Sequence, residues 1–126
     1  MMRNPFLNTV YIKVHPNRFE VKIIETGRSL VLNSPEAFTS RRLLVGQFSI
    51  ASDLLLKGMK QLQADRFFIF KPVVVIQPIA MIEDGLSEIE ERLFHELAVS
   101  AGARKVKVWV GQELSDREVL EHAKGV

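Results

Sequence analysis

Hydrophobic and polar residues alternate along the first part of the chain, which is the pattern of strands with one buried face. Residues 9–15, 18–25 and 29–32 show this pattern in turn. The His-Pro-Asn sequence at 15–17 and the Thr-Gly sequence at 26–27 separate them, and both are typical of tight turns. The pattern therefore predicts three consecutive strands that form an antiparallel meander.

The hydrophobic period becomes helical further along the chain. Apolar residues spaced by three and four predict helices that begin at Ser49, Ser87 and Ser115. The last two serines are each followed three residues later by a Glu, which completes a capping box. Between the helices, the unbroken apolar run 73–76 predicts a strand buried on both faces, and residues 105–110 alternate again as a fifth strand near a sheet edge.

Individual positions add detail to these elements. Gly58 lies on the apolar face of the first helix, which predicts close packing against the sheet at some cost in helix propensity. Residues 43–45 fit either a short strand or a packed loop. The second helix is expected to bury one stripe of six apolar residues, which are Leu86, Ile89, Leu93, Phe94, Leu97 and Ala98.

The element order is therefore βββαβαβα. Three meander strands followed by two right-handed crossover units give an α/β fold with a five-stranded mixed sheet and helices on its faces. This order is the topology of ribonuclease H-like and actin-like domains. We expect one such domain over residues 1–126, with residues 1–8 as a frayed terminus.

Composition and charge exclude several classes of function. The 126 residues are 47% hydrophobic and 25% charged, with a net charge of only +2. The scattered cations do not form the basic stripe that nucleic-acid binding needs. No apolar run is long enough to predict a transmembrane segment. The absence of cysteine excludes disulfides, thiolate nucleophiles and cysteine-bound metals, and it fits a cytoplasmic protein.

The sequence contains no complete motif for catalysis, metal binding or nucleotide binding. The three histidines, His15, His95 and His122, are far apart in the sequence, and no glycine-rich phosphate loop is present. A metal-dependent nuclease of this topology would need an acidic residue on the first strand, where Lys13 stands instead. We therefore expect no enzyme activity, no metal and no cofactor. Trp109 fits either core packing or an outward partner contact.

Much of the chain resembles the bacterial actins of the MreB type. Residues 71–78, Lys-Pro-Val-Val-Val-Ile-Gln-Pro, are similar to that family's Pro-Arg-Val-(apolar)-Val-Cys-(apolar)-Pro strand. Residues 87–92, Ser-Glu-Ile-Glu-Glu-Arg, resemble its Thr-Gln-Val-Glu-Arg-Arg helix start. Residues 101–106, Ala-Gly-Ala-Arg-Lys-Val, resemble its Ala-Gly-Ala-Arg-Glu-Val, and residues 29–35 resemble its Gly-Ile-Val-Leu-Asn-Glu-Pro.

The chain departs from that family at the phosphate loop. The family's Asp-Leu-Gly-Thr-Ala-Asn falls on residues 13–18, where Lys13 replaces the metal-side Asp and His15, followed by Pro16, replaces the Gly. Glu90 aligns with the family's water-activating Glu. The small subdomain between the third strand and the first helix is expected to be mostly absent, and the second lobe is expected to be missing. The resemblance therefore implies an actin-like half-domain that neither binds nor hydrolyses ATP.

Two main hypotheses of function follow from these observations, and the low net charge disfavours a third, nucleic-acid binding. The first is a non-enzymatic protein-interaction module related to cell-shape actins, which binds a filament-forming actin-like protein or pairs with itself as a homodimer. The alternative is a small-ligand-binding or residual catalytic domain that uses the crevice at the carboxyl ends of the strands. The candidate partner-binding residues are expected near those strand ends: His15, Asn17, Arg18, Gln77, Trp109 and Gln112.

Overall fold

Five strands form one mixed sheet in the computed structural model, which describes residues 8–63 and 71–126. The strands are β1 (Thr9–His15), β2 (Arg18–Ile23), β3 (Ser29–Asn33), β4 (Val73–Pro78) and β5 (Lys105–Val108). The helices are α1 (Phe48–Leu62), α2 (Glu88–Ser100) and α3 (Asp116–Lys124). The sequence-based prediction of a βββαβαβα order and an α/β mixed sheet is confirmed.

The strands lie in the order β3-β2-β1-β4-β5. The β1–β2 and β2–β3 pairs are antiparallel, and the β1–β4 and β4–β5 pairs are parallel. Lys13 on β1 lies opposite Glu20 on β2 and opposite Gln77 on β4. This register places the polar ends of three neighbouring strands side by side, where the candidate site is built.

Helices cover both faces of the sheet. On one face, α1 and α2 bury the larger core, which includes Phe19 and Leu55 with no exposed surface. On the other face, Val119 of α3 packs with Tyr11 and Val75. Val75 faces this smaller core while its neighbours Val74 and Ile76 face the larger one, so the unbroken apolar run is explained by burial on both sides.

Local signals predict the helix starts well. Ser87 and Ser115 each cap a helix with their hydroxyls, and the side chains of Glu90 and Glu118 complete both capping boxes. Gly58 packs against β3 as predicted, because a Cβ at that position would lie 2.3 Å from a methyl carbon of Leu32. The two serine caps and the close approach of α1 to β3 at Gly58 thus occur where the sequence predicted them.

Some details of the prediction are wrong, and β5 ends at Val108 rather than at residue 110. Ile89 is 80% exposed, because it lies at the edge of the helical stripe, away from the buried residues Phe94 and Leu97. β2 ends at Ile23 rather than Glu25. Asn8 is buried and its carbonyl accepts a bond from Val73 N at 3.0 Å, so it is not part of a frayed end. Residues 1–7 of the predicted frayed terminus lie outside the described residues.

The segment that fitted a strand or a loop is a loop, in which Leu44 and Val45 are buried and Leu43 is exposed. Within residues 8–63 and 71–126, no helix combines the length and apolar character needed to cross a bilayer.

Candidate functional site

The carboxyl ends of β1 and β4 are covered by the loop that joins β5 to α3, residues 109–115. Gln77 lies beneath this loop with 1% of its surface exposed. Its Nε2 donates to the carbonyl oxygen of Gly111 at 2.8 Å, and its Oε1 accepts a short hydrogen bond from the Tyr11 hydroxyl. The same hydroxyl accepts from the backbone N–H of Leu114 at 3.1 Å. The crevice at this end of the sheet is therefore filled by the protein's own polar groups.

We call Tyr11, Gln77, Gly111 and Leu114 the strand-end cluster. Burial is the main reason why the pKa of the Tyr11 phenol is raised, so the hydroxyl keeps its proton and can donate to Gln77. Each side-chain atom of Gln77 that can bond has a protein partner. The arrangement joins two strands to the loop, and both polar atoms of Gln77 are bonded within the protein.

Trp109 holds the covering loop in shape. Its Nε1 donates to the carbonyl oxygen of Gln112 at 2.8 Å, and its ring lies 4.5 Å from the ring of His122 on α3. A Cβ on Gly111 would approach Trp109 Cζ2 to 2.7 Å, and Gly111 has a φ of +154°. Glycine is therefore needed where the loop passes close to the indole.

Charged side chains on β1 and β2 pair with the loop and with each other. Lys13 Nζ lies 2.8 Å from Glu113 Oε1 and 3.6 Å from Glu20 Oε2. His15 Nε2 lies 2.6 Å from the same Glu20 oxygen. Lys22 binds Asp116, the first residue of α3, at 3.0 Å. We call these six side chains the sheet-face network: Lys13, His15, Glu20, Lys22, Glu113 and Asp116.

Within the sheet-face network, the pKa values of Lys13 and Glu20 are shifted. The hydrogen bond to Glu113 is the main cause that raises the pKa of Lys13. The hydrogen bond from His15 is the main cause that lowers the pKa of Glu20. A lysine whose pKa is raised stays an ammonium group, so Lys13 is unsuited to act as a nucleophile. The network can hold α3 and its loop on the sheet, and it offers no unpaired lysine for an anion.

A small recess remains beside the sheet-face network, with a volume of about 260 Å³. Lys13, Glu20, Lys22 and Asp116 supply its polar walls, and Val31 supplies part of its apolar wall. Among the residues that the structure describes, no three His, Asp or Glu side chains are grouped as metal ligands. The recess can therefore admit a small molecule or water.

The predicted partner-binding residues differ in exposure and in the contacts that they make. Arg18 and Gln112 are exposed, while His15 and Trp109 are half-buried and pair with Glu20 and His122 respectively. These four remain candidates for contact with a partner.

Gln77 and Asn17 have structural roles instead. The predicted placement of Gln77 on an accessible surface is wrong, because its amide is enclosed and both its nitrogen and its oxygen have protein partners. Asn17 adopts a φ of +56°, which its short side chain tolerates in a tight turn. Its Oδ1 accepts from the backbone N–H groups of Phe38 and Thr39, both at 2.9 Å, and so anchors the loop after β3.

Sequence reasoning missed Tyr11, Glu20, Glu113 and Asp116 as members of the site. The Lys13–Glu20 pair could have been found, since a tight turn at 16–17 fixes which residues of the hairpin lie opposite each other. The partners from the β5–α3 loop had no such signal, because their positions depend on the path of the chain between two elements.

Comparison with known proteins identifies a relative but does not indicate an activity. No family model matches the chain. A curated relative, the "Uncharacterized protein YjaA" of Escherichia coli (strain K12), is 29% identical over 106 residues, which are 80% of this chain and 82% of that protein. The match therefore covers a large share of both chains, and the name of the relative states no substrate or partner.

Proposed function

We propose that this domain is a non-enzymatic protein-interaction module. The observation that carries the proposal is the filled crevice at the carboxyl ends of the strands. In an open α/β sheet this crevice is the usual place for a ligand. Here Tyr11 and Gln77 occupy it, and the β5–α3 loop closes over them. Building a ligand site there would require breaking buried hydrogen bonds.

We further propose that the module is a degenerate relative of the cell-shape actins, with a ribonuclease H-like or actin-like half-domain fold. The strand order and the two parallel connections are consistent with that fold. At the position of the family's metal-side Asp, Lys13 is held by Glu113 and Glu20. A paired ammonium group there supports the expectation that the chain neither binds nor hydrolyses ATP. We place the protein in the cytoplasm, as its lack of cysteine suggests.

The proposed partner surface takes in the exposed Arg18 and Gln112 and the half-buried His15 and Trp109. Arg18 begins β2, opposite His15 in the β1–β2 register, and Gln112 lies in the covering loop beside Glu113. An exposed guanidinium can bind a carboxylate through two parallel hydrogen bonds, which makes Arg a frequent interface residue. A protein with an acidic patch fits this surface, and a filament-forming actin-like protein is the first candidate. Neither a nucleic acid nor a cofactor forms part of the proposal.

A small-ligand-binding or residual catalytic domain is the second candidate. The observation that favours it is the recess of about 260 Å³ beside Lys13 and Lys22. An anion that entered it would compete with Glu113 and Asp116 for those two lysines. This competition makes the second candidate weaker than the first.

Two measurements test the choice between these functions. A ligand that binds only the folded protein raises its Tm. We expect no rise with Mg-ATP, GTP or divalent cations alone, whereas the ligand-binding hypothesis requires one. The wild-type chain is then used as bait for affinity capture from native extract, followed by quantitative mass spectrometry. We expect it to enrich a partner protein that the Arg18→Glu variant does not enrich.

The matched control is Arg92→Glu, which reverses an exposed arginine on α2, on the opposite face of the sheet. It should capture the same protein as the wild type. Equal capture by all three forms, or a nucleotide-induced rise in Tm, would contradict the proposed function.

A further inference from the structure

β3 is an edge strand whose outward backbone groups are available for pairing. The bonds from Ile23 N to Arg28 O, at 2.8 Å, and from Ser34 N to Asn17 O, at 2.9 Å, fix which residues of the hairpin exchange hydrogen bonds. Because such pairs alternate with non-bonded pairs in an antiparallel ladder, the backbone N–H and C=O of Val31 point away from β2. Within the described ranges, no backbone partner meets these two groups.

The two edges of the sheet differ in how they are protected. The other edge, β5, carries two exposed lysines, Lys105 and Lys107, which oppose pairing with another chain. β3 has the sequence Ser-Leu-Val-Leu-Asn, with neither a charge nor a proline. Val31 at its centre is 52% exposed. β3 is therefore the edge that lacks the usual devices against strand addition.

We propose that β3 pairs antiparallel with β3 of a second copy of this chain, with the two Val31 residues opposite each other. This inference rests on the proposed function in treating the domain as an interaction module, but it uses the sheet edge rather than the strand ends. The two-fold arrangement would place Ser29 opposite Asn33 and Leu30 opposite Leu32. The outward backbone groups would form about six hydrogen bonds across the junction.

Charge favours a second copy as the occupant. Arg28 precedes β3 and Glu36 follows it. Antiparallel pairing centred on Val31 brings the end of each copy that carries Arg28, together with Glu25, beside the Glu36 end of the other. Glu25 already accepts from the backbone N–H of Thr9, and an arginine lies near each Glu36. No like charges lie opposite each other within the strand itself, and the two valine side chains can contact each other as a β-branched cross-strand pair.

A two-fold axis at residue 31 places residue 31 of one copy opposite residue 31 of the other, and the test uses this self-pairing. Sedimentation velocity of the full chain should show a dimer whose population rises with concentration. Val31→Lys and Val31→Glu should each shift the chain to monomer, with dimerisation weakened at least about tenfold, because like charges would face each other. An equimolar mixture of the two variants should regain the dimer, because Lys then faces Glu. Val99→Lys, which changes another exposed valine on α2, should remain dimeric.

Several results would overturn this inference while leaving the proposed function standing. They are a monomeric wild type at all concentrations, a dimer that survives both substitutions at residue 31, and a mixture that stays monomeric. Amide hydrogen exchange at Val31 gives an independent check that needs no variant. Its protection should increase with protein concentration, and protection that is equally strong in the dilute monomer would mean that the same chain covers this edge.

Discussion

The Tyr11 hydroxyl and the Gln77 side chain are hydrogen-bonded to each other across two neighbouring parallel strands, under the β5–α3 loop. Tyr11 also receives the Leu114 N–H, and Gln77 also donates to Gly111. These bonds join the sheet to the loop that covers it. The contact explains why the crevice at the strand ends is closed in this domain.

Replacement of Gln77 by Leu should destabilise the fold. The leucine fills similar space but leaves the Tyr11 hydroxyl proton and the Gly111 carbonyl without partners. We expect a loss of about 1–3 kcal/mol in the free energy of unfolding, measured by urea denaturation. Gln112→Leu changes an exposed amide and should alter stability by less than about 0.5 kcal/mol. Equal stability of the two variants would contradict the structural role of Gln77.

The strands and helices could be predicted from the sequence because their signals are local. Alternation defined β1, and serines followed three residues later by Glu marked the starts of α2 and α3. Ile89 was misplaced because helical spacing predicts a stripe but does not show which part of its width is buried, and Ile89 lies at its edge.

The site could be predicted only in part. Gln77 was expected near the strand ends, and it does lie there, but its burial depends on the path of a loop far away in the sequence. Trp109 shows the same dependence, since its half-burial follows from His122 on the next helix. Loop paths are set by tertiary packing, which a periodic pattern does not encode.

The contact between Gly58 and Leu32 should make the effects of substitutions at these two positions on the free energy of unfolding non-additive. Gly58→Ala introduces a Cβ that meets the Leu32 side chain, and overpacking of this kind costs about 1–3 kcal/mol. Better helix propensity offsets about 1 kcal/mol of that cost. In a Leu32→Val background the shorter side chain should relieve the crowding, so the same alanine should become less harmful or stabilising. Urea unfolding of the four forms measures the coupling, and an identical effect in both backgrounds would show that the contact is not tight.

Acid should weaken the sheet-face network through Glu20. The folded-state pKa of this carboxylate lies below its ordinary value of 4.5, mainly because His15 donates to it. Its charged form therefore stabilises the fold above pH 4.5, and the contribution is lost as the pH falls through the lowered folded value. The Glu20 side chain is 37% exposed, so solvent screening keeps the effect below about 1 kcal/mol.

Glu20→Gln tests this dependence. Its unfolding free energy should fall less steeply between neutral pH and pH values below 4.5 than that of the wild type. Glu96→Gln, at an exposed carboxylate on α2, should keep the steep dependence. The same pH dependence of the unfolding free energy in all three proteins would contradict a role of Glu20 in acid unfolding.

Closure of the crevice around Tyr11 and Gln77 is tested most directly by residue-resolved NMR during titration with Mg-ATP. We predict that the backbone signal of Leu114 and the side-chain amide signals of Gln77 stay unchanged up to millimolar nucleotide. Saturable shifts of those signals, together with those of Lys13 and His15, would show that nucleotide enters the crevice and would contradict the proposed non-enzymatic function.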